Sequence, residues 1–374
     1  MKFKIKREVL LDSLNKVSKA ISTKNLIPVL AGIKFDLKGK VLTLTASDND
    51  ITIQTKINAK KDVFVIDEEG SIIIQGRYIL DITRKLTDEF INFEVIDDLK
   101  VIISTENSEF NLNGISEREY PTINLEESKN KVYLSTSLLK EIVSETAFAA
   151  SNEENKPVLT GINFNIAGNI MECNATDSYR LARKIITLPK ESSENYNIVV
   201  PRHNIVELSK ILSSEDEQME LNIFSNKILF KLDNLLFQSR LVNGNYPNTA
   251  NLLPKEDFMN INVNLLDFYS VIDRVSILTS DKEKNIVNLE TNGDILTLKS
   301  SSAEIGKVEE KMMINKNNDQ NIKISFSARY MMEALKSFST ENVDIHFIGE
   351  IKPIIIKSQE KEDLTQLVLP IRTY

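Results

Sequence analysis

Side chains that carry chemistry are scarce in this chain: among 374 residues there is one cysteine and there are two histidines. A single cysteine excludes an internal disulfide, and His203 and His346 form no cluster spaced for a metal ion. Neither a glycine-rich phosphate loop nor a Gly-x-Ser-x-Gly nucleophile motif occurs. Acidic pairs such as Asp48 with Asp50, or Glu215 with Asp216, could serve acid–base chemistry. With 54 Asp and Glu residues, such pairs are expected in solvated loops. The chain therefore reads as non-catalytic and without a cofactor. It has no apolar run of about 18 residues, and the lysines of Met1-Lys2-Phe3-Lys4-Ile5-Lys6 break any signal-peptide pattern. A cytoplasmic protein with no membrane partner is the expectation. Low-complexity linkers are missing as well. The balance of 46 Lys and Arg against 54 Asp and Glu gives −8, the wrong sign for a simple nucleic-acid binder.

What is present is a pattern that returns three times. Gly76-Arg77-Tyr78-Ile79-Leu80-Asp81-Ile82 recurs from Pro201-Arg202-His203 and from Ala328-Arg329-Tyr330, each time an arginine opening an apolar helical pattern. The spacings, from 77 to 202 and from 202 to 329, are far longer than the repeats of solenoids or propellers. Each repeat is a whole domain, and other landmarks keep the same period. Gly39, Gly168 and Gly293 each feed an alternating strand, and Tyr120-Pro121 matches Tyr246-Pro247. The segments Phe3 to Ile21, Val132 to Ala150 and Ile261 to Thr279 carry apolar residues at steps of three and four, which reads as a repeated first helix. Cys173 falls where the other units carry Leu44 and Leu298 and is expected in the core.

Three equivalent domains result, 1–125, 126–254 and 255–374, divided in polar stretches near Glu126 to Asn130 and Lys255 to Asn260. Within the first, a helix over about Arg7 to Ile21 precedes strands near Ile33–Leu37, Val41–Ala46 and Ile51–Ile57. A second helix over about Arg77 to Leu86 precedes strands near Ile91–Val95, Lys100–Ser104 and Glu109–Asn113. Each domain is thus two copies of a helix plus a small antiparallel sheet, an α+β architecture with helices on one side of the sheets. Basic residues recur at two-turn spacing on the second helices: Arg77 with Arg84 and Lys85, Arg202 with Lys210, Arg329 with Lys336. Such steps share one helical face. Three helices with the same stripe point to a surface that meets a polyanion, while His203 reads as a surface or interface residue.

The whole chain resembles the bacterial replicative sliding clamp, the beta subunit of DNA polymerase III. The resemblance is carried by Met1-Lys2-Phe3 with Arg7-Glu8, Ala175-Thr176-Asp177 with Arg180-Leu181, Asn245-Tyr246-Pro247, Leu252-Leu253-Pro254 and the terminal Leu369-Pro370-Ile371-Arg372. It implies a head-to-tail homodimer of three-domain crescents that closes around double-stranded DNA and tethers a polymerase, with helices inside and sheets outside. Twelve helices of roughly 10 Å diameter would line a circle of about 120 Å and leave a hole of about 28 Å, wider than a duplex. Lysine and arginine across such a gap act on phosphates without reading bases, and an acidic exterior keeps DNA off the outer face. The remaining alternatives are a symmetric scaffold that does not encircle DNA and an enzyme with an unrecognised site.

Residue by residue, the resemblance implies DNA contacts at Lys24, Arg77, Glu153, Pro157 and Val158, the last three where relatives present polar or aromatic residues, a pattern from which the acidic Glu153 departs. Arg202 and Arg329 join them from the helix pattern. Repeat symmetry fails in two places. After Ala46-Ser47-Asp48 the first domain continues Asn49-Asp50-Ile51-Thr52, whereas after Ala175-Thr176-Asp177 the second continues Ser178-Tyr179-Arg180-Leu181. The third domain alone ends in an apolar tail. Both features resemble the family's peptide pocket, implied at Leu159, Thr176, Ser178, Tyr179, Arg180, Leu181, Pro247, Asn251, Leu252, Pro353, Val368, Leu369, Pro370, Ile371 and Arg372. Its apolar walls would take short linear peptides, with Arg180 and Arg372 bonding peptide carbonyls or carboxylates. The implied partners are the replicative polymerase subunit, the clamp loader and other clamp-binding-motif proteins. Ile277 and Leu278 are implied at the dimer contact.

Overall fold

The structure, a computed structural model, describes residues 1–21, 27–97, 99–153, 155–253, 259–279 and 285–372. Among them one block is used six times: a lead strand, a helix and a three-stranded antiparallel meander. The first block is β1 (Lys2–Lys6), α1 (Arg7–Val17), β2 (Gly32–Lys38), β3 (Val41–Ser47) and β4 (Ile51–Asn58), with an added strand β5 (Phe64–Glu68). The second is β6 (Gly70–Gln75), α2 (Gly76–Lys85), β7 (Phe90–Ile96), β8 (Lys100–Ser104) and β9 (Glu109–Asn113). The third is β10 (Lys131–Ser135), α3 (Thr136–Thr146), β11 (Gly161–Ala167), β12 (Ile170–Thr176) and β13 (Arg180–Thr187). The fourth is β14 (Tyr196–Pro201), α4 (Arg202–Ile211), β15 (Gln218–Ile223), β16 (Lys227–Leu232) and β17 (Leu235–Arg240). The fifth is β18 (Met259–Asn264), α5 (Leu265–Ser276), β19 (Ile286–Asn292), β20 (Ile295–Ser302) and β21 (Gly306–Met313), with a short β22 (Asn315–Lys316). The sixth is β23 (Lys323–Ser327), α6 (Ala328–Leu335), β24 (Asn342–Phe347), β25 (Ile354–Ser358) and β26 (Lys361–Val368).

The lead strands correct the expectation that Phe3, Val132 and Ile261 open helices. Phe3 and Ile5 are buried while Lys2 and Lys4 are exposed, the period of two that a strand requires. Helical periodicity begins only at Arg7, where Leu10, Leu14 and Val17 turn inward. The lead strands also have a topological task, because each pairs with the meander of the neighbouring block. β1 lies on β7 and β6 on β2; β10 lies on β15 and β14 on β11; β18 lies on β24 and β23 on β19. Blocks are thereby laced in pairs, each satisfying the backbone edge the other leaves open.

Two compact units result, Met1–Ser137 with His203–Leu241, and Leu138–Arg202 with Val242–Tyr374. In the first unit, β4 pairs with β17 and fuses the meanders of blocks one and four into an eight-stranded sheet, beside a five-stranded sheet that ends on β9. In the second, β13 pairs with β26 and fuses blocks three and six into a nine-stranded sheet, beside a four-stranded sheet that ends on β21. Apolar faces of helices and sheets fill the cores. Phe93 stacks between Phe3 at 4.6 Å and Phe35 at 5.4 Å, and Cys173 is fully buried, its thiol pushed up by desolvation.

The two sheet fusions are the same joint with different chemistry. At the β13–β26 joint Lys184 has no exposed surface, and its ammonium meets Glu141 at 2.9 Å, Glu145 at 2.8 Å and Asp363 at 2.7 Å. Lys361 binds the first two carboxylates again, each at 2.5 Å. Desolvation opposes the Lys184 charge, yet its carboxylate partners outweigh that and hold its pKa above the ordinary lysine value. At the β4–β17 joint the corresponding strand position is Thr55, and the corresponding helix positions are Asp12 and Lys16, which pair with each other at 2.7 Å. Thr55 Oγ1 is buried without a hydrogen-bond partner and borders a cleft of about 430 Å³.

Candidate functional site

Two turns with the same pattern of aspartate hydrogen bonds succeed β3 and β12, although Ser178 sits at positive φ and its counterpart Asn49 does not. Asp48 Oδ1 accepts from the N–H groups of Asp50 at 2.7 Å and Ile51 at 2.8 Å. Asp177 Oδ1 accepts from those of Tyr179 at 2.9 Å and Arg180 at 3.1 Å. Each turn carries the end of a neighbouring strand: Arg240 N–H donates to the Asp50 carbonyl and Leu369 N–H to the Tyr179 carbonyl, both at 2.9 Å. The aspartates therefore belong to the fold. The side chains between them differ, and so do the segments that leave the neighbouring strands.

In the second unit the chain leaves β26 through Leu369, and Ile371 N–H donates to the Ser325 carbonyl at 2.7 Å, which lays the tail beside the start of α6. Ser327 caps that helix by accepting from Tyr330 N–H. The result is a groove of about 680 Å³ walled by Tyr179, Tyr330, Leu369, Pro370, Ile371 and Arg372, with Asn285, Ser327 and Arg329 at its margin. Tyr179 is 59% exposed, and its ring stacks on that of Tyr330 at 6.3 Å. Burial raises the Tyr330 phenol's pKa, helped by the Asp177 charge and opposed by Arg180. A wall of two aromatic rings, a leucine, a proline and an isoleucine offers apolar surface, where full burial of an apolar side chain is worth about 1.5 to 3 kcal/mol.

Of the residues expected at this site, Tyr179, Leu369, Pro370, Ile371 and Arg372 are brought together. Leu181 lies beneath them, packed with Ile355, Leu367, Leu253 and Leu369. Thr176 and Ser178 shape the turn: Thr176 Oγ1 donates to the Arg180 carbonyl and accepts from Ser178 N–H, and Ser178 sits at φ 78°. Val368 and Leu159 are buried. Pro247, Asn251, Leu252 and Pro353 are outside the walls of this groove.

Arg180 departs from its expected role. It is buried, and its nitrogens are engaged inside the protein: Nε donates to Asp177 at 3.0 Å, Nη2 to the Phe148 carbonyl at 2.7 Å and Nη1 to Glu333. Its guanidinium carbon lies 4.5 Å from the Tyr330 ring centre, so it backs the wall and is not offered to a ligand. Tyr330, Glu333 and Phe148 escaped the sequence reading. An available signal was the aromatic or histidine after each helix-opening arginine, Tyr78, His203 and Tyr330.

Arg77, Arg202 and Arg329 occupy the first turns of α2, α4 and α6. Arg77 is exposed, Arg202 donates to Asn152 at 2.8 Å, and Arg329 donates to Glu333 at 3.2 Å while also bordering the groove. Glu153 and Pro157 are exposed, and Val158 is half-buried against Gly244. Lys24 lies outside the described residues. Ile277, just past α5, is 72% exposed, and Leu278 is half-buried. No helix among the described residues is long and apolar enough to cross a membrane.

The repeated blocks make a scaffold, and a position where the repeat symmetry breaks opens into a partly apolar groove. Models of the N-terminal, central and C-terminal domains of the DNA polymerase III beta subunit match residues 1–124, 133–248 and 250–372. The beta sliding clamps of Staphylococcus epidermidis and Staphylococcus aureus are 39% and 38% identical, with all of both chains covered. Solved structures of the DNA polymerase sliding clamp of Bacillus subtilis (36% identity) and the polymerase beta subunit of Streptococcus pyogenes (32%) superpose over full length with a TM-score of 0.95 each. The chain belongs to the DNA polymerase III beta-subunit family, the beta sliding clamps. That membership agrees with the reading of a non-catalytic chain of DNA replication.

Proposed function

We propose that two copies of this chain close head to tail into a ring around duplex DNA, and that the groove at Tyr179, Tyr330 and Leu369–Arg372 holds short peptides of the replicative polymerase, the clamp loader and other clamp-binding proteins. The observation that carries this reading is the joining rule of the blocks. Block one joins block four through β4–β17 and block three joins block six through β13–β26, always three blocks apart. Blocks two and five are the pair left over, and their last strands, β9 and β21, end their sheets. Joining β9 of one chain to β21 of another extends the same rule across two chains and covers both open edges. Ile277 and Leu278, in block five, supply the apolar part of that contact.

The three domains are 1–125, 126–254 and 255–374, and Arg77, Arg202 and Arg329 open a helix in each of them. With Lys24, and with Glu153, Pro157 and Val158 at the edge, they form the surface toward DNA. In the peptide site, Leu159, Pro247, Asn251, Leu252 and Pro353 extend the groove that the tail begins. A chain of net charge −8 has little electrostatic hold on phosphate, and what it has weakens with salt, so retention is topological. The test is to load the protein on a nicked circle with a clamp loader and ATP, raise the salt, then linearise the circle. Retention on the circle and rapid loss after cutting are expected; release from uncut circles while the dimer stays intact contradicts encirclement.

A further inference from the structure

We propose that Glu333, which does not line the groove, is the positioning residue of its aromatic wall: by bridging Arg180 and Arg329 it holds the Arg180 guanidinium against Tyr330. The proposal rests on the reading of the groove as a peptide site. Arg180 is 6% exposed, and a buried guanidinium is tolerated only where its charge and donors are met. Asp177 meets Nε at 3.0 Å and the Phe148 carbonyl meets Nη2 at 2.7 Å. Glu333 Oε2 takes Nη1, and its other oxygen, Oε1, takes Arg329 Nε at 3.2 Å. With those bonds in place the guanidinium carbon stands 4.5 Å from the centre of the Tyr330 ring and 5.3 Å from that of Phe148. The opposing ring contact of Tyr330 is Tyr179. Tyr330 is therefore fixed by Arg180, and Arg180 by Glu333.

The first unit supplies an internal control. At the positions equivalent to Arg180 and Glu333 it carries Ile51, which is 2% exposed, and Val206, which is half-buried. A turn with the same hydrogen bonds and an equivalent helix are thus built with an apolar pair at these two positions. Removing an arginine and a carboxylate from water carries a desolvation cost that a hydrophobic pair avoids. The ion pair is accordingly not what the fold requires; it occurs where the groove occurs. Without Glu333, Nη1 loses its acceptor, Arg180 gains a reason to seek solvent, and the Tyr330 ring loses its backing. Burial alone would lift the Glu333 carboxyl, yet the hydrogen bonds and charges of Arg180 and Arg329 hold it below the usual range, so the bridge is ionised at neutral pH.

The test uses the full-length protein and a fluorescein-labelled peptide with a glutamine followed by spaced leucine and phenylalanine anchors. Affinity is read by anisotropy, the Tyr330 environment by 19F NMR of 3-fluorotyrosine-labelled protein, and folding by thermal melts. Glu333→Gln is expected to weaken the peptide about fivefold and R180I/E333V, which installs the first unit's pair, about tenfold or more. The double variant, which removes both partners, should keep the parent melting temperature within a few degrees, whereas Glu333→Gln, which removes one, should melt lower while still folding; both should shift or broaden the Tyr330 resonance, and Glu333→Asp should recover part of the affinity. Folded Glu333→Gln protein with parental affinity and an unmoved Tyr330 resonance overturns the proposal, even if the double variant fails to fold. A parent protein that binds no peptide, or binds it equally well after removal of Leu369 to Tyr374, overturns the groove reading instead.

Discussion

The turn at Asp48 and the turn at Asp177 share their backbone hydrogen bonds, their following strand and their incoming neighbour, yet one is a plain joint and the other edges a groove. At Asp48 the flanking side chains are Asn49 and Asp50, both exposed, and Arg240 Nη1 reaches the Asn49 carbonyl at 3.5 Å. At Asp177 they are Ser178 and Tyr179, and the incoming strand carries Leu369 where the other carries Arg240. A few substitutions on a duplicated frame thus separate structure from function: whatever both copies retain belongs to the fold, and whatever one copy alone has needs its own explanation. The same contrast runs along the sheet to the joints, with Lys184 and its carboxylates in the second unit and Thr55 beside a cleft in the first.

The largest expected effect is at the joint. Lys184→Met leaves the buried Glu145 and the partly exposed Glu141 with Lys361 alone and Asp363 without its Lys184 partner, and should cost about 3 kcal/mol of stability, read by denaturant unfolding and by hydrogen exchange on β13 and β26. In the parent, the raised folded pKa of Lys184 means that its contribution is intact at neutral pH and below. It fades only as pH climbs past the ordinary lysine value toward the folded one. A smaller loss is expected where the blocks are unjoined: I277A/L278A should weaken the dimer by about 2 kcal/mol or more, giving folded monomers in sedimentation at micromolar concentration. An unchanged dimer removes those two residues from the contact.

Thr55→Val should move stability by about 1 kcal/mol or less, and upward, because the hydroxyl it deletes is buried without a partner. A large loss there would make the two joints chemically alike after all. Smallest is the response of Glu127, whose hydrogen bonds from Lys131 and Lys231 hold its carboxyl down to about 2. A depressed carboxyl stabilises above its unfolded value and loses that contribution as pH falls through the folded one. Carbon-detected NMR should show Glu127 still ionised at pH 3.5; a midpoint near the ordinary 4.5 would mean that Lys131 and Lys231 do not hold the carboxylate.

The division of labour explains what could be read from sequence. Meanders and the starts of the second helices were legible because period two and period 3.6 are local, and triplication brought out the arginine that opens each of α2, α4 and α6. The lead strands were not: Lys2–Lys6 is five residues and runs without a turn into α1, so its period-two face merges with the helical pattern. The tail and Tyr179 were legible as breaks in symmetry. The support beneath them was not, because the Arg180–Glu333 contact spans 153 positions and depends on which face of α6 meets which end of β13. Arg180 consequently read as a ligand for peptide, where burial makes it a support for Tyr330.

The central claim is that the two turns share a fold but only the Asp177 turn, completed by the tail, binds peptide. Isothermal titration of the labelled motif peptide against the parent protein and against protein ending at Val368 tests it most directly. One peptide per chain at micromolar affinity, about −8 kcal/mol, is predicted for the parent, with binding at least about tenfold weaker after truncation and the thermal melt barely moved. Two peptides per chain, or equal affinity in the truncated protein, would contradict the account.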